Sequence, residues 1–330
     1  SNTRNVRRVV LDRLADLRRN GFATSDINVM DYNNGNVALS SDITDRLEYA
    51  RGGAASAEQG EVGYFIRGIY TKGEYDSSAA APGFDSKTYT FVAGIDRYLS
   101  DATQVGAALS YSTSDSDYSD VGGDSETDTY GIAAYGSHEL GQGFYLEGNV
   151  GFSRAHFDTN RDTGFGMVEG NTKGDIWNLS AGVTKAYPMS SLTLEPFAYL
   201  HYTDVSVDGF TEKGGAAALR VSHSSFDSLI SELGFTSAYQ LTESLTGDLR
   251  LAWEHEFKDT ETTVPVSFVS APGNVFVSQG ESQSTDYGRI GLGLTKAMAY
   301  NRSLSLRAET LVGHDNYDEY SIEARFRQSF

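Results

Sequence analysis

The last eleven residues of the chain, Tyr320 to Phe330, alternate between two chemistries with a period of two. Tyr320, Ile322, Ala324, Phe326 and Phe330 fall on one side together with Gln328, while Ser321, Glu323, Arg325, Arg327 and Ser329 fall on the other. A period of two means a strand. Ions on one face need water, and aromatic and branched side chains on the opposite face need an apolar medium. Lipid outside and a hydrated lumen inside meet both demands. A half-buried edge strand of a soluble sandwich is the competing arrangement, and the rest of the chain has to decide between them.

A chain of 330 residues suits one large all-β unit as well as two ordinary domains. No stretch approaches the roughly 18 to 20 consecutive apolar residues of a membrane helix, because charged residues interrupt every apolar run. A barrel leaves a weaker trace, about ten alternating residues per crossing, so a polar average does not count against a membrane location. Tyr (20) and Phe (17) are abundant enough to furnish interfacial girdles. Cysteine is absent, which removes disulfides and thiol chemistry.

The formal net charge of −19 excludes a nucleic-acid partner, which would require a basic face. The charge is unevenly spread. Residues 1 to 20 hold six arginines and two aspartates, a net +4, which leaves −23 for the remainder. Val6, Val10, Leu14 and Leu17 recur at helical spacing, with Asn20-Gly21 as the stop. Arg4, Arg7, Arg8, Arg18 and Arg19 share an arc of roughly 120° away from that stripe, and Arg13 falls outside it. Such a helix would be about 25 Å long, close to the height of the apolar band of a membrane barrel. A surface or dimerising helix with a solvated basic face is the other reading of the same pattern. The segment has no uninterrupted apolar core, so it is not a secretory leader, and on the barrel reading the chain is the end of a longer precursor.

Three units are expected: a helix over 1–21, a connector over 22–60 and a barrel over 61–330. Twelve alternating segments follow residue 60, near 61–75, 86–99, 102–114, 126–139, 142–157, 172–187, 190–206, 221–240, 243–258, 281–297, 300–313 and 316–330. Phe144, Leu146, Val150 and Phe152 oppose Glu147, Asn149 and Ser153. Leu245, Leu249, Leu251 and Trp253 oppose Thr246, Asp248, Arg250 and Glu254. Leu304, Leu306, Ala308 and Val312 oppose Ser305, Arg307 and Glu309. The first strand is less regular, since placing Arg67 inward also places Phe65 and Ile69 inward. Short connections at Ser100-Asp101, Gly141, Pro188-Met189, Thr242 and Ala299 alternate with long ones near 76–85, 115–125, 158–171, 207–220 and 259–280. Outer-membrane barrels have short periplasmic turns and long outer loops, and closure is compulsory because an open edge in lipid leaves backbone groups unpaired.

Several segments carry a family resemblance. Gly94-Ile-Asp-Arg-Tyr-Leu-Ser-Asp101 and Val105-Gly-Ala-Ala-Leu-Ser-Tyr111 resemble the second and third strands of autotransporter β-domains. Leu194-Glu-Pro-Phe-Ala-Tyr199, Phe210-Thr-Glu212 and Phe226-Asp-Ser-Leu229 resemble the middle section, and Tyr287-Gly-Arg-Ile-Gly291 the penultimate hairpin. Leu11-Asp-Arg-Leu-Ala-Asp-Leu-Arg18 is similar to the family's linker helix. The resemblance implies an all-β fold, a twelve-stranded antiparallel transmembrane barrel with the N-terminal α-helix threaded through its lumen. It implies a type V secretion translocator in the bacterial outer membrane that delivers and anchors an N-terminal passenger. It implies no cofactor and no metal, a monomer, and as partners outer-membrane lipid and lipopolysaccharide, the passenger, and the barrel assembly machinery, which reads Tyr320, Ile322, Ala324, Phe326 and Phe330 as its signal.

On this reading the arginine stripe meets carboxylates of the lumen wall, and Glu147, Glu195, Asp248, Glu254, Glu309 and Glu323 are the candidates. One branch of the family cuts its own linker at an Asn-Asn pair. Aligning Asp16-Leu-Arg18 with that branch's motif puts Arg8 and Val9 at the pair's position, so self-cleavage is not expected and no catalytic residue is assigned.

Two other classes remain open at this point. A hydrolase barrel would draw on His156, His201, His223, His255 or His314 and serines such as Ser153 and Ser224, none of which forms a recognised motif. A passive porin would share strand count and loop rhythm but has no use for the helix. The acidic loop with Asp115, Asp117, Asp120, Asp124, Glu126 and Asp128 matches no EF-hand and reads as a solvated surface. Gly164, Gly166 and Gly170 lack the strand-helix context of a phosphate cradle.

Overall fold

The computed structural model describes residues 2–23, 62–77, 82–119, 122–258, 263–279, 284–299 and 302–329. The connector expected over 22–60 lies, from residue 24 onward, outside the described residues, as do Asp120 and Phe330. One helix, α1 (Asn2–Ala23), precedes twelve long strands. These are β1 (Val62–Tyr75), β2 (Phe84–Ser100), β3 (Thr103–Tyr118), β4 (Gly123–Gly141), β5 (Phe144–Asp162) and β6 (Met167–Lys185). They continue as β7 (Leu192–Val207), β8 (Ser224–Thr242), β9 (Leu245–Glu256), β10 (Asp286–Met298), β11 (Arg302–Val312) and β12 (Tyr317–Ser329). Each is antiparallel to its sequence neighbour, and β1 pairs β12 from Gly63↔Ser329 to Tyr75↔Tyr317, which closes the barrel. The two-residue strand Tyr187–Pro188 adds a short flap beside β7.

Alternation sets which side chain meets lipid. On β11, Leu304 and Leu306 are exposed while Ser305, Arg307 and Glu309 are buried; on β12, Ile322 is 59% exposed beside Glu323 at 1%. A soluble protein would not leave such a continuous outer surface bare. Facing pairs such as Phe152–Trp177 and Tyr111–Tyr130, at centroid separations of 4.9 and 5.1 Å, continue it with rings.

The connections keep the expected rhythm but not all the expected lengths. Strands β3 to β6 run for 16 to 19 residues, so at ~3.4 Å per residue the longest reaches about 60 Å, well beyond an apolar band about 25 Å tall. The acidic stretch read as a loop is therefore mostly strand: Asp115 stands opposite Glu126 and Asp117 opposite Asp124. The loop expected over 158–171 is likewise a hairpin, paired out to Asp162↔Met167. Period-two alternation had faded there because water bathes both faces, leaving no apolar side to mark the strand. The long connections after β7 and β9 contribute Phe210–Thr211, Leu219–Val221, Thr263–Phe268 and Val275–Gln279 to a separate four-stranded sheet. Arg161 ties β5 to this region through Glu212 at 2.6 Å.

Candidate functional site

The lumen is filled by α1. Val9, Val10, Arg13 and Leu14 are each 0% exposed, and residues 5 to 14 are buried throughout. A helix lying on a surface would keep one face wet; burial around the whole circumference requires a wall on every side. On one side of the helix the wall is apolar: Val6, Val10, Leu14 and Leu17 pack in one cluster with Phe65, Val92, Ala108, Tyr135, Phe197 and Tyr199. The wall makes room for these rings with glycines on neighbouring strands, since a Cβ at Gly94 would lie 2.4 Å from the Phe65 ring and one at Gly106 2.2 Å from that of Tyr135. The lumen expected to be hydrated is thus lined by apolar side chains along one side of the helix.

Elsewhere the contacts are ionic and ordered by depth. Arg4 lies 3.6 Å from Glu319 at the end bearing the long loops. Arg8 donates to Glu309 at 2.5 Å and lies 3.7 Å from Glu323. Asp12 accepts from Arg307 at 2.7 Å, and Arg13 holds Asp96 through two hydrogen bonds of 2.6 and 2.7 Å. Asp16 is paired with Arg325 and lies 3.3 Å from Arg67. Arg18 reaches Glu147 and, at 3.3 Å, Glu195 near the short turns. Ring faces add to this, with Arg13 and Arg67 both over Phe65, at 5.4 and 5.7 Å. At the mouth bearing the long loops, burial holds the His314 imidazole below the usual histidine range.

All six anticipated carboxylates point into the lumen, but they divide their partners. Glu147, Glu195, Glu309 and Glu323 meet the helix, whereas Asp248 pairs with Arg307 and Glu254 with Arg289, both 2.7 Å away on the wall itself. Arg7 has no ion pair among the described residues. The side chain of Arg19 lies outside them. Arg13, placed outside the stripe, is the most deeply buried arginine of the helix. Its wide departure from the arc counts for little in a pore, where every direction meets wall. Asp96, Glu232 and Glu319 were missed. Asp96 and Glu319 sit in phase with inward neighbours, a signal legible once the strand phase is extended. Glu232 lies in the segment 221–240, for which no face was assigned.

The buried ions balance. Within the lumen the buried helix residues carry four arginines and one aspartate, a net +3; the buried wall residues carry five arginines and eight carboxylates, a net −3.

The hydrolase reading draws no support from this geometry. His201 bonds Ser180 and Glu232, each at 2.9 Å, but His201 is 1% and Ser180 2% exposed, and Arg250 already holds Glu232 at 2.5 Å. A hydroxyl sealed behind the helix meets no substrate. His255 instead pairs with Asp286 on the outer face.

The profile of the family described as Autotransporter beta-domain matches residues 64–309. The chain belongs to the autotransporter β-domain family. As such it is an outer-membrane translocator unit. Among the relatives of this β-domain, an extracellular serine protease of Serratia marcescens is 27% identical over 238 residues, which is 68% of this chain and 22% of that protein. The chain thus spans about a fifth of that relative's length. The translocator domain of autotransporter NalP from Neisseria meningitidis superposes with a TM-score of 0.69 at 18% identity, covering 88% of this chain and 95% of that one. The β-domain of the Bordetella autotransporter BrkA gives 0.61 at 17%, covering 82% and 100%. These likenesses support the fold, and the family match carries the assignment.

Proposed function

We propose that this β-domain delivers a passenger joined upstream of α1 to the cell surface, anchors it there, and is afterwards closed by α1 acting as a plug. The observation that carries the reading is the matched charge of plug and wall, buried around the full circumference of the helix. A pore that stayed open would have no reason to bury a helix bearing +3 against a wall bearing −3. The domain itself acts as a conduit and not as an enzyme, and any catalysis belongs to the passenger. The alternating outward face of β12, followed in the sequence by Phe330, is the assembly signal for the barrel assembly machinery, and lipopolysaccharide surrounds the outer rim. Asn5 donates to Thr71 and Thr90 at 3.2 and 3.3 Å and has no asparagine neighbour, in keeping with a linker that is not cut.

Planar-bilayer conductance of the intact chain and of one lacking residues 1–60 tests the plug. The intact chain is expected to stay closed; the shortened one should conduct and prefer cations, because the wall's −3 loses its counterpart. A large open conductance in the intact chain would identify a passive porin instead. Incubating a chain extended upstream should yield no defined fragment.

A further inference from the structure

The outside of the barrel has two differently charged ends. Toward the long loops, outward-facing positions are acidic, including Asp85, Asp115, Asp117, Asp124, Glu126 and Asp158. Of the cations at that end, Lys72 lies 3.7 Å from Asp85, Arg154 2.8 Å from Asp175 and Lys258 2.8 Å from Asp227, while Lys87 and Lys173 have no ion pair among the described residues but stand among these carboxylates, Lys87 directly opposite Asp115. The short-turn end is the reverse. Arg97, Lys185, Lys296 and Arg302 stand on outward positions within a few residues of the turns. Among the described residues no carboxylate shares the outward face there; Glu139 lies in the inward phase, and Asp101 and Glu243 occupy turns. Arg97, Lys185 and Lys296 have no ion pair among the described residues.

Lys185 is the most structured of the four. Its ammonium lies 4.0 Å from the Phe144 ring centroid and 5.4 Å from that of Tyr187, and it donates to the carbonyl of Gln142. An ammonium has three protons, so two remain for other acceptors. Beside it opens a groove of about 550 Å³ lined by Gln142, Tyr187, Pro188, Met189 and Leu194. A cation fixed by two rings at the edge of a greasy belt, with an apolar groove beside it at the same level, matches the phosphate head and glycerol region of a lipid whose acyl chains run along the belt.

We propose that the short-turn rim is a phospholipid collar, in which Lys185 and its groove seat one ordered anionic phospholipid of the periplasmic leaflet and Arg97, Lys296 and Arg302 hold further headgroup phosphates. The inference rests on the orientation that puts the short turns in the periplasm.

The test is native mass spectrometry of the intact chain released from vesicles of equimolar phosphatidylglycerol and phosphatidylcholine. Phosphatidylglycerol should be retained preferentially, and Lys185→Gln should weaken its retention about five-fold, as expected for one interfacial charge. Lys185→Arg should largely restore it. Heat-dependent gel mobility confirms that each variant is folded. Equal retention of the two lipids, or unchanged retention in Lys185→Gln, would overturn the collar. So would displacement of the lipid by millimolar glycerol phosphate, which would mark a site for free phosphate. Orientation is read separately by labelling Gly164→Cys and Ser244→Cys on whole cells. Labelling at 164 alone is expected; labelling at 244 alone would remove the leaflet assignment whatever the lipid result.

Discussion

The two sides of the lumen hold the same helix by different means. Where β2, β3, β4 and β7 face it, Val92, Ala108, Tyr135 and Phe197 offer mainly apolar contact, which scales with buried area and is indifferent to small shifts along the axis, with the Arg13–Asp96 and Arg18–Glu195 pairs set into β2 and β7. Where β9 to β12 and β1 face it, arginines and carboxylates alternate with depth. A slide of one helical turn, about 5.4 Å, would carry Asp12 to the site of Arg8 beside Glu309 and Glu323, or Arg8 to the site of Asp12 beside Arg307 and Arg67. Either move sets like charges against each other in a low-dielectric space. The apolar contacts supply adhesion, and the ion pairs fix depth and direction.

The largest effect should come from leaving a buried ion alone. Arg13 is 0% exposed and Asp96 is its ion-pair partner; the Tyr135 hydroxyl also donates to Asp96, at 3.2 Å. Asp96→Ala should cost about 3–5 kcal/mol, read as the fall in urea midpoint of the folded, heat-modifiable band. Adding Arg13→Met should recover most of the loss, because an apolar pair can replace a buried ionic one. A cost under about 1 kcal/mol for Asp96→Ala alone would show that the ionic contacts hold nothing.

On the apolar side, Leu14→Ala removes a fully buried side chain and should cost about 2–4 kcal/mol. The comparison is sharpened by depth. Cysteine accessibility along α1 should be unchanged in Leu14→Ala but shifted in Asp12→Arg, which faces Arg307 and Arg67. If Leu14→Ala moves the helix as far as Asp12→Arg, the division of labour is wrong.

What could be read in advance follows the same division. Strand count, closure and the short turns were legible because lipid on one face and lumen on the other impose period-two alternation. That rule ends where β3 to β6 rise into water, and there the hairpin around Asp117 and Asp124 passed for a loop. For the lumen, the inward phase revealed Glu147, Glu309 and Glu323 together with Arg307 and Arg325 on the same faces. Pairing was harder. Helix arginines were matched with wall carboxylates, but Asp12 and Asp16 entered only as charge to be counted, and they turn out to receive Arg307, Arg67 and Arg325. Helical periodicity assigns a direction around the axis, whereas a partner inside a tube is chosen by depth as well, which periodicity does not carry.

The smallest effect is expected at Arg7, and it separates burial from pairing. Arg7 is 7% exposed, comparable with Arg8 at 9%, yet it has no ion pair among the described residues. It borders a cavity of about 20 Å³ shared with Glu232, Glu254, Arg250 and Arg289, above the roughly 10–15 Å³ that one water needs. The cavity has room for one water between the guanidinium and carboxylates that already have arginines of their own. Removing the charge therefore strands no counter-ion. Arg7→Gln should alter stability by less than about 1 kcal/mol, whereas Arg8→Gln, which strips Glu309 and Glu323 of their helix partner, should cost about 3 kcal/mol. Side-by-side urea midpoints decide it. Equal losses would mean that the lumen responds to total charge and not to paired charge, and the ionic side would then lose its claim to set the depth of the helix.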